Sequence, residues 1–264
     1  MTQAILSNGH PAPVPAGGEG GRDRPALAGR RTVTSRLIGA LFLTGFLSYG
    51  GGFALVTSVT AGHDFVAGIP AHRTTLALGA LLMLANSVVD VGKGILFYPL
   101  LARHSHRTAL AYLSAMIVEV VLLSVGVIGL LVLIPLGQRA LDDGTARTGW
   151  GAALGSLALQ WNAVAYQVGE LSLGIGCLFL CILLLRTRLI PRFLAAWGLI
   201  GYLALATGAV LEILGAHVSL ALSIPGGLWE VTLGIWLLVK GFRPQAYGDT
   251  TRPREPDAAS PVAG

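Results

Sequence analysis

The feature that most constrains this chain is a series of long apolar runs separated by short polar stretches. They cover residues 37–60, 74–101, 109–134, 150–185 and 193–214, and a last run ends at Lys240. A helix rises about 1.5 Å per residue, so roughly 20 apolar residues cross a bilayer core of about 30 Å. Inside that core there is no water to satisfy backbone N–H and C=O groups, and runs of this length without alternation meet the demand as α-helices. Composition agrees: 12% of the 264 residues are charged and the mean hydropathy is +0.70, whereas soluble domains carry about 25% charged residues. The expected fold class is therefore all-α, a polytopic membrane bundle of about six transmembrane helices whose immediate partner is the lipid bilayer.

The net charge of +5 does not point to nucleic acid. The basic residues do not cluster with aromatics on one face. They lie between the apolar runs, where orientation signals lie. Cys177 and Cys181 stand four apart in one apolar run and read as two small hydrophobes rather than ligands. Two cysteines give neither a disulfide framework nor a zinc spacing.

Read in order, residues 1–35 are rich in Pro, Gly and Arg and are expected to be a disordered basic tail. They lack the apolar segment of a signal peptide. Residues 36–242 are the membrane domain and 243–264 a second disordered tail. The first span carries Gly50-Gly51-Gly52, a pattern that lets another backbone come close. Pro135 is expected to end the third span, with a polar loop over 136–150. The run 150–185 measures roughly 54 Å as a helix, too long for one crossing. It divides into an interfacial segment over 150–161 and a span over 163–185, with Trp150, Trp161 and Tyr166 as an aromatic belt. The sixth span carries Pro225-Gly226-Gly227 and starts either at Pro225 or near Val218 with a break in the middle. From Gly227 to Lys240 a helix covers only about 20 Å, which favours the broken or kinked form.

With six spans and the N-terminus inside, 14 of the Lys and Arg residues fall on the inner side, three (Arg73, Arg139, Arg147) fall outside, and Lys93 lies within a span. That asymmetry predicts both termini in the cytoplasm and a multi-pass protein of the cell (plasma) membrane.

Charged residues inside the spans are the candidate functional positions, because such groups face a bundle interior or water. Asp90, Lys93, Glu119 and Glu230 fall about 12–16 Å from the inner ends of their spans, and Glu170 about 22 Å. Glu212 lies near the outer end of span five. Asn86, Asp90, Lys93 and Phe97 recur as one helical stripe, and Gln160, Ala163, Gln167, Glu170 and Gly174 as another. The candidate polar layer is thus Asn86, Asp90, Lys93, Glu119, Gln167, Glu170 and Glu230. Asp90 and Lys93 are spaced to pair. One cation does not balance the acids, so at least one of Glu119 and Glu230 is expected to be neutral. The bland alternative is that the layer only fixes helix register. His63, Asp64, His72 and His217 gather on the outer side as weak metal candidates without diagnostic spacing. No metal or other cofactor is assigned.

The chain resembles the family known as domain of unknown function 4386, bacterial multi-pass membrane proteins, over roughly residues 35–243. The resemblance rests on Tyr98-Pro99-Leu100-Leu101-Ala102-Arg103-His104 followed by Glu119, on Arg188-Leu189-Ile190-Pro191-Arg192, and on Gly198-Leu199-Ile200-Gly201. It extends to Pro225, Glu230 and Trp236-Leu237-Leu238-Val239-Lys240-Gly241-Phe242. It implies location and fold and no activity. One departure is Met116, where the family pattern suggests an arginine.

Three functions are open. The first is a transporter or an accessory or regulatory factor that uses the polar layer as a proton-exchanging cavity for an unidentified small molecule. The second is an intramembrane enzyme acting on a lipid or lipid-linked substrate. The third is a structural partner in a membrane complex. No P-loop or nucleophile elbow is present, so no catalytic residue is assigned and a non-enzymatic role is preferred.

Overall fold

The computed structural model describes residues 23–243, with side chains from residue 33 onward. Among these residues there are seven α-helices and no strand: α1 (Asp23–Thr60), α2 (Phe65–Gly68), α3 (Arg73–Ala102), α4 (His106–Asp142), α5 (Trp150–Thr187), α6 (Arg192–Ile213) and α7 (Ser219–Val239). All but α2 contain a stretch long and apolar enough to cross a membrane, which in α1 is Val33–Thr60. The chain is a multi-pass membrane protein with an all-α bundle.

The spans pack as a closed ring. Helix α3 packs on α1, each of α4 to α7 packs on the helix before it, and α7 returns to α1. Local chemistry sets the corners. The Ser105 hydroxyl accepts the Thr108 N–H at 3.3 Å and caps the start of α4. Arg188 takes a left-handed conformation (φ 55°) at the end of α5, and Pro191, with its fixed φ, leads into α6.

Small residues let the ring close. An ideal Cβ at Gly39 would stand 2.6 Å from the Gly234 carbonyl oxygen, one at Gly52 2.6 Å from the Gly79 oxygen, and one at Gly201 3.0 Å from the Gly226 Cα. These are the α1/α7, α1/α3 and α6/α7 crossings. Lipid tails are as apolar as leucine, so close backbone packing rather than hydrophobic burial holds such helices together. In the glycine triplet only Gly52 makes this contact; Gly50 has open space beside it.

The helix bounds differ from the sequence expectation in several places. Helix α1 begins at Asp23, well before residue 37; Pro25 stands in its first turn, where a missing N–H breaks no bond. Residues 1–22 and 244–264 of the two expected tails lie outside the described residues. Pro135 does not end the third span, because α4 runs on to Asp142. The division of 150–185 fails as well, since α5 is continuous. Both helices continue past the bilayer thickness because they have something to pack on there. Val66, Ala140 and Ala146 form a small core around α2, and an ideal Cβ at Gly137 would stand 2.9 Å from the Ile69 Cβ. Helix α7 starts at Ser219 and carries Pro225 without interruption. The proline forfeits one hydrogen bond, and the following glycine is where α6 comes closest.

The two glycines of the triplet supply a matched test. Ala favours a helix over Gly by about 0.5–1 kcal/mol at either position, so only packing separates them. Gly50→Ala is expected to leave the melting temperature in detergent unchanged or slightly raised. Gly52→Ala is expected to lower it, by an overpacking penalty of about 1–3 kcal/mol. Equal melting temperatures would contradict the crossing.

Candidate functional site

The site grows from one turn of α3. Lys93 Nζ lies 2.5 Å from Asp90 Oδ1, with both side chains almost fully buried. Asn86, one turn earlier, donates its amide N–H to Asp90 Oδ2 at 2.6 Å. Positions 86, 90 and 93 fall on one helical stripe, so the backbone aligns donor, acid and ammonium without any contact from elsewhere. Helix α1 completes the setting. The Lys93 ammonium stands 4.8 Å from the centre of the Phe42 ring, a favourable cation–π placement. Gly45 leaves room for the amide: a Cβ there would come within 2.9 Å of Asn86 Oδ1.

Around this turn the ring leaves a cavity of about 450 Å³ to which every membrane-crossing helix contributes. Asn86, Asp90 and Lys93 from α3, Glu119 from α4, Glu170 from α5 and Glu230 from α7 all line it. Four carboxyl groups therefore share one space with one ammonium. The Tyr202 hydroxyl of α6 donates to Glu230 Oε1 at 2.7 Å. Glu119 is 3% exposed, and its Oε2 has no hydrogen-bond partner. Buried polar atoms in folded proteins nearly always find a partner, so the unmatched oxygen of a residue that lines the cavity marks a place where a donor fits.

Aromatic rings bound the cavity on two sides. Toward the α7 C-terminus, Phe42 meets Phe97 and Trp229 edge-on, and Phe97 meets Tyr112 and Phe242 in the same way. The Trp229 indole donates to the Leu194 carbonyl at 2.6 Å, which locks that floor. Toward the other side, Tyr49 of α1 stacks on Tyr166 of α5 across the ring, with centroids 5.6 Å apart.

The remaining expected positions fall elsewhere or serve differently. Gln167 does not line the cavity; its Oε1 accepts the Ser219 hydroxyl at 3.1 Å and ties α5 to α7. Tyr166 is not part of an interfacial belt but lines the cavity, whereas Trp150 and Trp161 are exposed. Glu212 accepts the Ser219 backbone N–H at 3.0 Å and lies 3.1 Å from His217 Nδ1, holding the start of α7. Asp64 faces Arg147 at 3.8 Å. The weak metal candidates His63, Asp64, His72 and His217 are thus not drawn together, and no group of three or more His, Cys, Asp or Glu among the described residues is arranged to hold a metal. Met116 is buried in the floor cluster, and Cys177 and Cys181 are buried free thiols.

Sequence reasoning missed Tyr49, Tyr202 and Ser223, all of which line the cavity. Two signals were available. Tyr166, assigned to the aromatic belt, lies one turn before Glu170 and pairs with Tyr49, and Tyr202 is a hydroxyl at the middle of a span.

Neither a curated protein nor a solved structure matches this chain. A family profile does match, described as domain of unknown function (DUF4386), and it aligns with residues 37–241. That stretch holds all six membrane-crossing segments except the first few residues of the α1 segment and includes every residue of the cavity. The chain is a member of the DUF4386 family.

Proposed function

We propose that the protein is a membrane-embedded binding protein whose central cavity takes up a small molecule in exchange for protons on its carboxyl cluster. The observation that carries this reading is the convergence of Asp90, Glu119, Glu170 and Glu230 with the cation Lys93 on the lining of one cavity. In a low dielectric an uncompensated charge is expensive. Such a cluster reaches neutrality only by holding protons or by receiving a positive ligand, and the two compete for the same oxygens. The groups that face one another come from every packed helix: Tyr49, Asp90, Lys93, Glu119, Tyr166, Glu170, Tyr202 and Glu230. Whether binding serves transport or regulation depends on access to the two sides of the membrane.

Proton exchange separates this reading from a cluster that only fixes helix register. In infrared difference spectra of the reconstituted protein, a step in bulk pH should change a protonated-carboxyl band, and Glu119→Gln should remove part of the change. A carboxyl region that ignores bulk pH in the wild-type protein would contradict the reading.

Orientation is also inferred, from the excess of Lys and Arg at one end of the ring. We infer that both termini face the cytoplasm and that the protein resides in the plasma membrane. Reporter fusions after residues 68, 143 and 216 should report the outer side, and fusions after 105 and 189 the inner side. A cytoplasmic signal at 143, in the turn between α4 and α5, would overturn the orientation.

A further inference from the structure

The cavity has floor and roof, but it is not walled all round. Near its floor α1 and α7 touch through Gly39 and Gly234. Further along they part. Gly50 on α1 has nothing within 4 Å of an ideal Cβ position. On α7, Leu220 and Ile224 are 81% and 55% exposed, yet both line the cavity, as Gly50 does. Phe46 on α1 is half-exposed, lines the cavity and packs against Gly227, with Cε2 3.7 Å from an ideal Cβ there. Leu228 continues the same apolar edge. These residues lie within the first ten positions of α7, about 15 Å along its axis, so the gap opens sideways into one leaflet.

The chemistry of the mouth differs from that of the interior. A water-soluble ligand gains nothing from a lipid-facing apolar lip. An amphiphile fits both parts, with its chain in the gap and its head in the cavity. The head is specified by charge and by hydrogen bonding. Four carboxyl groups against one ammonium favour a cation. The unmatched Glu119 Oε2, 97% buried with its residue, calls for an N–H donor rather than a methylated surface. Tyr49, Tyr166 and Tyr202 add ring faces and hydroxyl groups around it. A phosphate attached to the head would bring negative charge into the acid cluster, which argues for a simple amine over an aminophospholipid.

We propose that the central cavity is a lipid-entered binding site for a single-chain primary amine. Its ammonium sits among Asp90, Glu119, Glu170 and Glu230, and its alkyl chain lies in the gap between α1 and α7 bounded by Phe46, Gly50 and Ile224. This rests on the reading of the cavity as a small-molecule site and supplies the ligand class and the route.

The test is ligand-dependent thermal stability of the full chain in phosphatidylcholine nanodiscs at neutral pH. The additives are dodecylamine, dodecyltrimethylammonium, dodecanol and phosphatidylethanolamine. Dodecylamine should raise the melting temperature in a saturable way and bind at least about tenfold more tightly than the trimethyl analogue, the ratio expected for one lost charge-assisted hydrogen bond. Glu119→Gln should weaken dodecylamine binding by about the same factor. Gly50→Leu fills open space rather than a packed contact, so it should leave the unliganded melting temperature near wild type and abolish the shift. No shift with dodecylamine, equal shifts with both cations, a shift only with phosphatidylethanolamine, or wild-type binding by Gly50→Leu would each overturn the proposal. A carboxyl band that still follows bulk pH while dodecylamine fails to bind would reject the ligand class and leave the cavity reading standing. Failure of both would reject both.

Discussion

Lys93 is a cation buried within a membrane-crossing helix, and the arrangement of the bundle's centre follows from how that charge is met. Asp90 is its direct counter-ion, and Asn86 holds the second Asp90 oxygen. Gly45 makes room for Asn86, and the Phe42 ring faces the ammonium. A buried pair need not be net stabilising against an apolar pair of the same size. Its surroundings on α1 are specific: a Cβ at Gly45 would come within 2.9 Å of Asn86 Oδ1, and the Phe42 ring lies 4.8 Å from the ammonium. The other three carboxyl groups arrive from α4, α5 and α7 with no further cation to meet them, and from this the cavity takes its excess of acid.

The second constraint is geometric. Six helices packed each to the next in a ring leave a centre that no backbone occupies, and side chains must fill it. At one level the fill is aromatic, through Phe42, Phe97, Tyr112, Trp229 and Phe242. One layer away the fill is short polar side chains, and a cavity remains. Glycine-to-glycine contact draws α1 and α7 together only at the aromatic level, and the gap between them opens at the polar level. Closed floor and open flank thus come from the positions of a few small residues along two helices.

Much of this was legible in the sequence because it is local. The stripe through Asn86, Asp90 and Lys93 follows from helical spacing alone, and the depths of Glu119 and Glu230 follow from counting residues from the basic ends. Family membership was legible from the order of the motifs. The misreadings have common causes. A length rule built on bilayer thickness divides α5 and a proline rule ends α4 at Pro135; neither takes account of α2 packing on both helices there. Pro225 suggested a break, but a single proline removes one hydrogen bond and neighbouring helices hold the rest. Tyr166 was grouped with the tryptophans because aromatics gather at interfaces. Its real partner, Tyr49, is more than a hundred residues away, and no local spacing announces it. Gln167 shares a stripe with Glu170 but sits one turn nearer the start of α7, where Ser219 takes it.

The central claim, that the Asp90–Lys93 pair organises this layer, is tested most directly by a double-mutant cycle read as thermal unfolding of Asp90→Leu, Lys93→Leu and the double variant. Asp90→Leu strands a buried ammonium and should be the most damaging. Lys93→Leu leaves a carboxyl that can take a proton and should be milder, and the double variant should be mildest of all. The resulting coupling should exceed about 1 kcal/mol. Single losses that simply add in the double variant would contradict the account and would mean that Lys93 answers to the cavity rather than to Asp90.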